Sequence, residues 1–87
     1  MEADSITFNP NHPYTLSDHV RQSVEDYFHQ LNGHESSGLY QLVLTEVEKP
    51  LLETALKYSD FNQSKAAKVL GMSRSTLRKK LEQYGIG

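Results

Sequence analysis

The amino-acid sequence predicts an all-α fold, a four-helix subunit with a dimer bundle built from its first two helices, a C-terminal helix-turn-helix and a flexible N-terminal arm. Three observations predict it. Apolar residues recur mostly at steps of three and four from residue 16 to residue 84, the period of a helix rather than a strand. Capping residues and glycines cut that period into segments of helical length. The second segment carries more apolar surface than one short neighbour can cover, which calls for a second copy of the chain. The expected boundaries are residues 1–14 for the arm, 15–59 for the dimerisation helices and 60–87 for the helix-turn-helix.

The arm shows no helical period, and Pro10, Pro13 and two asparagines favour a loop; Ile6-Thr7-Phe8 could form a short strand but has no partner within the segment. A first helix starts near Leu16, with Thr15 as N-cap and Asp18 standing where a capping box has glutamate. Its stripe is Leu16, Val20, Val24, Tyr27, Phe28 and Leu31, and Asn32-Gly33 ends it. The second helix is expected over residues 39–58. Its main stripe is Leu39, Leu42, Val43, Val47, Leu51, Ala55 and Tyr58, widened by Leu44, Leu52 and Leu56, with a kink at Pro50. From these two stripes the dimer interface is assigned to Val20, Val24, Tyr27, Phe28, Leu39, Val43, Val47 and Leu51. Two short helices follow, residues 63–70 capped by Asn62 and stopped by Gly71, then residues 74–83 capped by Ser73.

Composition narrows the class. Eighty-seven residues make one domain, and zero cysteines leave neither disulfides nor a thiolate zinc site to staple it. No apolar run reaches the roughly 18 residues of a membrane span, and the acidic start Met1-Glu2-Ala3-Asp4 is unlike a signal peptide, so a soluble, cytoplasmic protein with no membrane partner is expected. The net charge of −2 hides a polarity: residues 1–56 hold two basic against nine acidic side chains, and residues 57–87 hold seven against two. A basic end on an acidic body suits a polyanion at one face only. His12, His19, His29 and His34 contain no i, i+4 pair and no matched carboxylate array, so no enzyme activity, metal site or cofactor is expected.

The function-bearing stretch runs from Asn62 to Leu81. A helix-turn-helix needs a small residue where its helices cross, supplied by Ala66 and Ala67, and a glycine at the corner, supplied by Gly71. Val69, Leu70, Met72, Leu77 and Leu81 are the expected apolar pins. The last helix would pack along Leu77, Leu81 and Tyr84 and present its cations outward. Arg74, in its first turn, suits a bidentate contact to guanine O6 and N7. Ser73 and Thr76 have the reach for a phosphate or a base edge, and Arg78, Lys79 and Lys80 would neutralise phosphates. Asn62, Gln63 and Ser64 open the preceding helix, where backbone N–H groups favour an anion. Double-stranded DNA is the expected partner.

This stretch resembles the helix-turn-helix of the Fis family, the bacterial nucleoid-associated factors for inversion stimulation. The likeness extends through Tyr27-Phe28, Leu31-Asn32-Gly33, Leu39-Tyr40, Leu42-Val43-Leu44, Glu46-Val47-Glu48, Pro50-Leu51-Leu52 and Tyr84-Gly85, covering residues 16–87. The resemblance implies a subunit intertwined as a homodimer through its first two helices. It implies recognition helices set too close for straight DNA, hence DNA bending, transcription regulation and residence in the nucleoid. Specificity would be degenerate, resting on end guanines read by Arg74 and on a compressible minor groove between them. Asn62, Ser64, Thr76, Arg78, Lys79 and Lys80 match the family's phosphate or base-edge contacts, and RNA polymerase or a site-specific recombinase would be a further partner. Three departures stand out. Ser73 replaces the asparagine of the best-known members, and Glu82 and Gln83 replace lysines, Glu82 being placed to pair with Arg78. The arm is shorter than the family's recombinase-contacting hairpin and unlike it. Two other readings stay open: a detached DNA-binding end of a nitrogen-regulator-type activator, and a protein-only adaptor contacting recombinase or polymerase through the acidic helices.

Overall fold

The computed structural model describes residue 11 and residues 13–87; the expected strand at Ile6-Thr7-Phe8 and most of the expected arm lie outside them. Among the described residues there are four helices, α1 Leu16–Leu31, α2 Leu39–Lys57, α3 Gln63–Leu70 and α4 Arg74–Tyr84, and no strand. This is the all-α order that the periodicity predicts. None of these helices is long and apolar enough to cross a membrane. The chain divides into two compact units, residues 1–39 and 40–87.

In the first unit, local chemistry fixes the start of α1. Thr15 Oγ1 accepts the Asp18 N–H at 3.3 Å while Asp18 Oδ2 accepts the Thr15 N–H at 3.0 Å, the reciprocal box expected with aspartate in place of glutamate. The Thr15 N–H, followed by the Thr15 hydroxyl, holds the Asp18 carboxyl below the ordinary aspartate value. Asn32 itself takes the left-handed cap at φ 53°, with Gly33 following at φ 89°. The Ser36 hydroxyl donates to Tyr27 Oη at 3.3 Å, drawing the polar loop back to the helix. No side chain of α1 is buried within the chain, although its apolar residues share one face.

The second unit holds the core: Leu52 and Leu56 from α2, Ala66 and Ala67 from α3, Leu77 and Leu81 from α4, with Leu70, Met72, Tyr84 and Ile86 packed against them. Pro50 lies inside α2, which continues past it. The leucines read as widening the α2 stripe are thus the ones buried, while Leu42 and Leu51 of the main stripe stay about half exposed at 52% and 51%. Tyr58, expected at the end of that stripe, sits beyond the helix in the following turn and is 80% exposed.

The turn after α2 has no glycine. Phe61 N–H reaches back to the Leu56 carbonyl at 2.9 Å and Asp60 N–H to that of Lys57 at 3.2 Å, closing the helix with Asp60 and Phe61 both left-handed. The same pair of bonds closes α3, from Met72 to Ala67 at 3.0 Å and from Gly71 to Lys68 at 3.2 Å. Gly71 sits at φ 78° with open space around its missing Cβ, so the glycine is there for its dihedral and not for room. Val69, expected as a pin, is 71% exposed. At about 100° per residue it falls outside the arc shared by Ala66, Leu70 and Ala67, so its apolar character misled the assignment.

Leu77→Ala should cost about 2–5 kcal/mol in urea denaturation, because it opens a cavity at the centre of the cluster. Val69→Ala should stay within about 0.5 kcal/mol.

Candidate nucleic-acid interface

Two capped helices meeting at Gly71 build the surface. Asn62 Oδ1 accepts the Lys65 N–H at 3.0 Å, capping α3 beside Gln63 and Ser64. Ser73 Oγ accepts the Thr76 N–H at 3.1 Å and donates to Thr76 Oγ1 at 2.9 Å. With the single Ser73 hydrogen spent there, Ser75, at 3.2 Å, is the donor in its bond to Ser73, and Thr76 keeps its own hydroxyl hydrogen for an outside acceptor.

The cations sort by helical angle. Taking Arg74 as zero and about 100° per residue, Arg78, Ser75 and Lys79 follow within an arc of roughly 140° that begins beside the packing edge of Leu77, Leu81 and Tyr84 and turns away from it. Leu77 and Leu81 are buried, whereas Arg74, Ser75, Thr76, Arg78 and Lys79 are exposed. The ion pairs of the described residues are Arg21–Asp18 and Lys80–Glu48, which leaves Arg74, Arg78 and Lys79 unpaired among them. The pairing of Arg78 with Glu82 expected from their spacing therefore does not form; both side chains extend into solvent, where a single turn of helix gains little from such a pair. Lys65 and Lys68 are exposed on α3 as well, two further cations to which sequence reasoning assigned no role.

Lys80 stands apart from the other cations of α4. Its Nζ lies 2.7 Å from Glu48 Oε2, and the other oxygen of that carboxylate accepts the Tyr84 hydroxyl at 2.5 Å. The Lys80 ammonium, followed by the Tyr84 hydroxyl, holds the Glu48 carboxyl below the ordinary glutamate value. Glu48 in turn raises Lys80 and Tyr84 above theirs. Sequence spacing offers no hint of this tie, since Glu48 and Tyr84 are 36 residues apart. Of the residues assigned to DNA, Asn62, Ser64, Ser73, Arg74, Thr76, Arg78 and Lys79 are exposed, while Gln63 and Lys80 are half-buried. Of those assigned to the dimer, Val20, Val24, Tyr27, Leu39, Val43 and Val47 are half-buried, and Phe28 and Leu51 are exposed.

Comparison with known proteins gives the surface a context. Residues 43–84 match a family described as bacterial regulatory protein, Fis family, and residues 2–36 match the DNA-binding protein Fis N-terminal domain. Over 83 residues, 95% of this chain and 80% of the relative, the sequence is 48% identical to the DNA-binding protein Fis of Yersinia enterocolitica. Over the same coverage it is 51% identical to that of Vibrio atlanticus and 47% identical to that of Proteus mirabilis. The likeness thus begins at residue 2 and not at residue 16, taking in the arm that was expected to depart. The arm has no helical period, so periodicity carries no sign of its kinship.

Ser73→Ala should lower stability by about 1 kcal/mol through loss of the α4 cap. Glu48 has a depressed folded value, so its contribution is present above its unfolded value of about 4.3 and is lost as pH falls through the folded one. Lys80, raised, contributes below about 10.4 and loses its contribution as pH rises through its folded value. The stability difference between the unaltered chain and Glu48→Gln should therefore stay flat between these limits and shrink in acid, read from melting midpoints across pH.

Proposed function

The chain belongs to the Fis family of bacterial regulatory proteins, and from that premise we propose that it is a homodimeric, DNA-bending, nucleoid-associated transcriptional regulator of the bacterial cytoplasm that binds degenerate sites through the major groove. The observation that carries the proposal is the exposed face of Arg74, Arg78 and Lys79, in no ion pair among the described residues, which runs from one flank of the leucine edge that anchors α4 round to the side away from it. A helix so mounted offers first-turn side chains to base edges and later cations to phosphates. Arg74 acts as the guanine reader, and Asn62, Gln63, Ser64, Ser73, Thr76, Arg78 and Lys79 supply phosphate or base-edge contacts.

The dimer follows from what one chain leaves uncovered. An amphipathic 16-residue helix with no fully buried side chain gains little from tertiary burial of its apolar face, which is what holds most protein helices. Phe28, Leu42 and Leu51 are each about half exposed, and a second copy contributing the same faces would cover them. With two recognition helices fixed to one bundle, the DNA deforms to meet both, and sequences that bend readily are preferred. The relatives are named as DNA-binding proteins, and the match to both the N-terminal domain and the regulatory-protein family favours this reading over a detached activator domain.

Gel shift at several salt concentrations tests the proposal. Log affinity should fall linearly and steeply with log salt as counterions are released. Arg74→Ala should remove about 1–3 kcal/mol of discrimination for end guanines, whereas Lys79→Ala should weaken all sequences alike. An Arg74→Ala protein equally weakened on every sequence would sink the assignment of the base reader. Sedimentation should show a dimer at micromolar concentration; a folded monomer there would refute the bundle.

A further inference from the structure

The sequence assigns Lys80 the same phosphate-neutralising role as Arg78 and Lys79, but its place on the helix and its partner set it apart from them. By helical angle Lys80 lies on the far flank of the leucine edge, about 160° from Arg78 and 100° from Lys79. Its side chain is 31% exposed and directed at Glu48 of α2, whose own side chain is 15% exposed. That carboxylate also receives Tyr84, one turn further along α4, so α4 is held at two successive turns by one acceptor group.

The position of Glu48 explains what such a hold can do. It stands one turn before Leu52 and two before Leu56, so the stripe of α2 that packs on α4 begins with a carboxylate and continues with leucines. Leucine packing holds two helices together, but its attraction is not directional, so it opposes a small roll less strongly than an oriented hydrogen bond does. A roll of about 20° would shift side chains at the 5–6 Å surface of the helix by about 2 Å, enough to lose a bidentate base contact. Charge-assisted hydrogen bonds at 2.7 Å resist that motion because they are directional.

We infer that Lys80 is a positioning residue and not a phosphate contact: through the Glu48 carboxylate, shared with Tyr84, it fixes the rotation of α4 and so the directions in which Arg74, Arg78 and Lys79 leave it. The inference rests on the reading of α4 as the helix that faces DNA. It reverses the sign of one expectation. Were Lys80 a phosphate contact, Glu48 would compete with DNA for it, and removing the Glu48 charge would strengthen binding. As a positioning partner, Glu48 is needed for full affinity.

The test measures affinity and its salt dependence on one duplex for Glu48→Gln, Lys80→Gln, the double variant, Tyr84→Phe and Lys79→Ala. Tyr84→Phe alters no charge at neutral pH and guards against a misfolded charge variant. Expected is a loss of about two- to fivefold in Glu48→Gln and in Lys80→Gln, no further loss in the double variant, and a salt slope unchanged in all three. Tyr84→Phe should weaken binding with the same unchanged slope. A Lys80→Gln slope shallower by about 1 per contact, with Glu48→Gln binding as well as or better than the unaltered chain, overturns the inference alone. Unaltered affinity in all four variants of the tie also overturns it. An unchanged slope in Lys79→Ala removes the DNA-facing assignment of α4 and takes this inference with it.

Discussion

Ala66 and Ala67 expose almost none of their surface, and the atoms they lack are what bring α3 close enough for Leu52 and Leu56 to meet Leu77 and Leu81. Larger side chains there would force the helices apart at a cost of about 1–3 kcal/mol each, since a packed interior has no slack. The outward face of α4 is defined by this contact in the most literal way. Once Leu77 and Leu81 are committed to the core, Arg74 and Arg78 are left on one flank of the buried edge and Lys79 on the side away from it.

What the sequence revealed and what it hid divide along the range of the interaction. Thr15 with Asp18, Asn62, Ser73 and Gly71 are legible because a cap or turn requires particular residue types at fixed offsets of a few positions. α2 ends one residue before its expected limit, and Asp60 and Phe61 adopt the left-handed conformation after it without the glycine that normally announces such an end. Val69 looked like a pin because apolarity reports a preference for burial, and only the crossing geometry decides which apolar residues of an eight-residue helix are covered. The Glu48 tie was hidden for the opposite reason. Each partner reads as an ordinary surface charge or aromatic, and only the fold juxtaposes them.

That tie also qualifies the charge polarity of the chain. An acidic body and a basic end suggest two separate surfaces, yet one acid of the body reaches into the basic end and takes up one of its cations. Formal charge along a helix is therefore a poor census of the charge available to a polyanion. The cations left over on α4 are those whose angle places them away from Glu48, and on α3 Lys65 and Lys68 add to them, in no ion pair among the described residues.

The faces of α2 connect these points. At about 100° per residue, Glu48, Leu52 and Leu56 centre on one side of the helix, while Val43, Val47 and Leu51 centre roughly 140° away. The first set mounts the helix-turn-helix; the second is the face assigned to a second copy. A single helix serving both leaves little freedom between them, because a helix transmits rotation through its hydrogen-bonded backbone instead of absorbing it in a hinge. In a dimer formed through the second face, the separation of the two α4 helices would be set by the thickness of α2 and its packing partners. A duplex would then have to adapt to that spacing, so the same leucine contacts that stabilise one subunit would also select which DNA sequences it can bend.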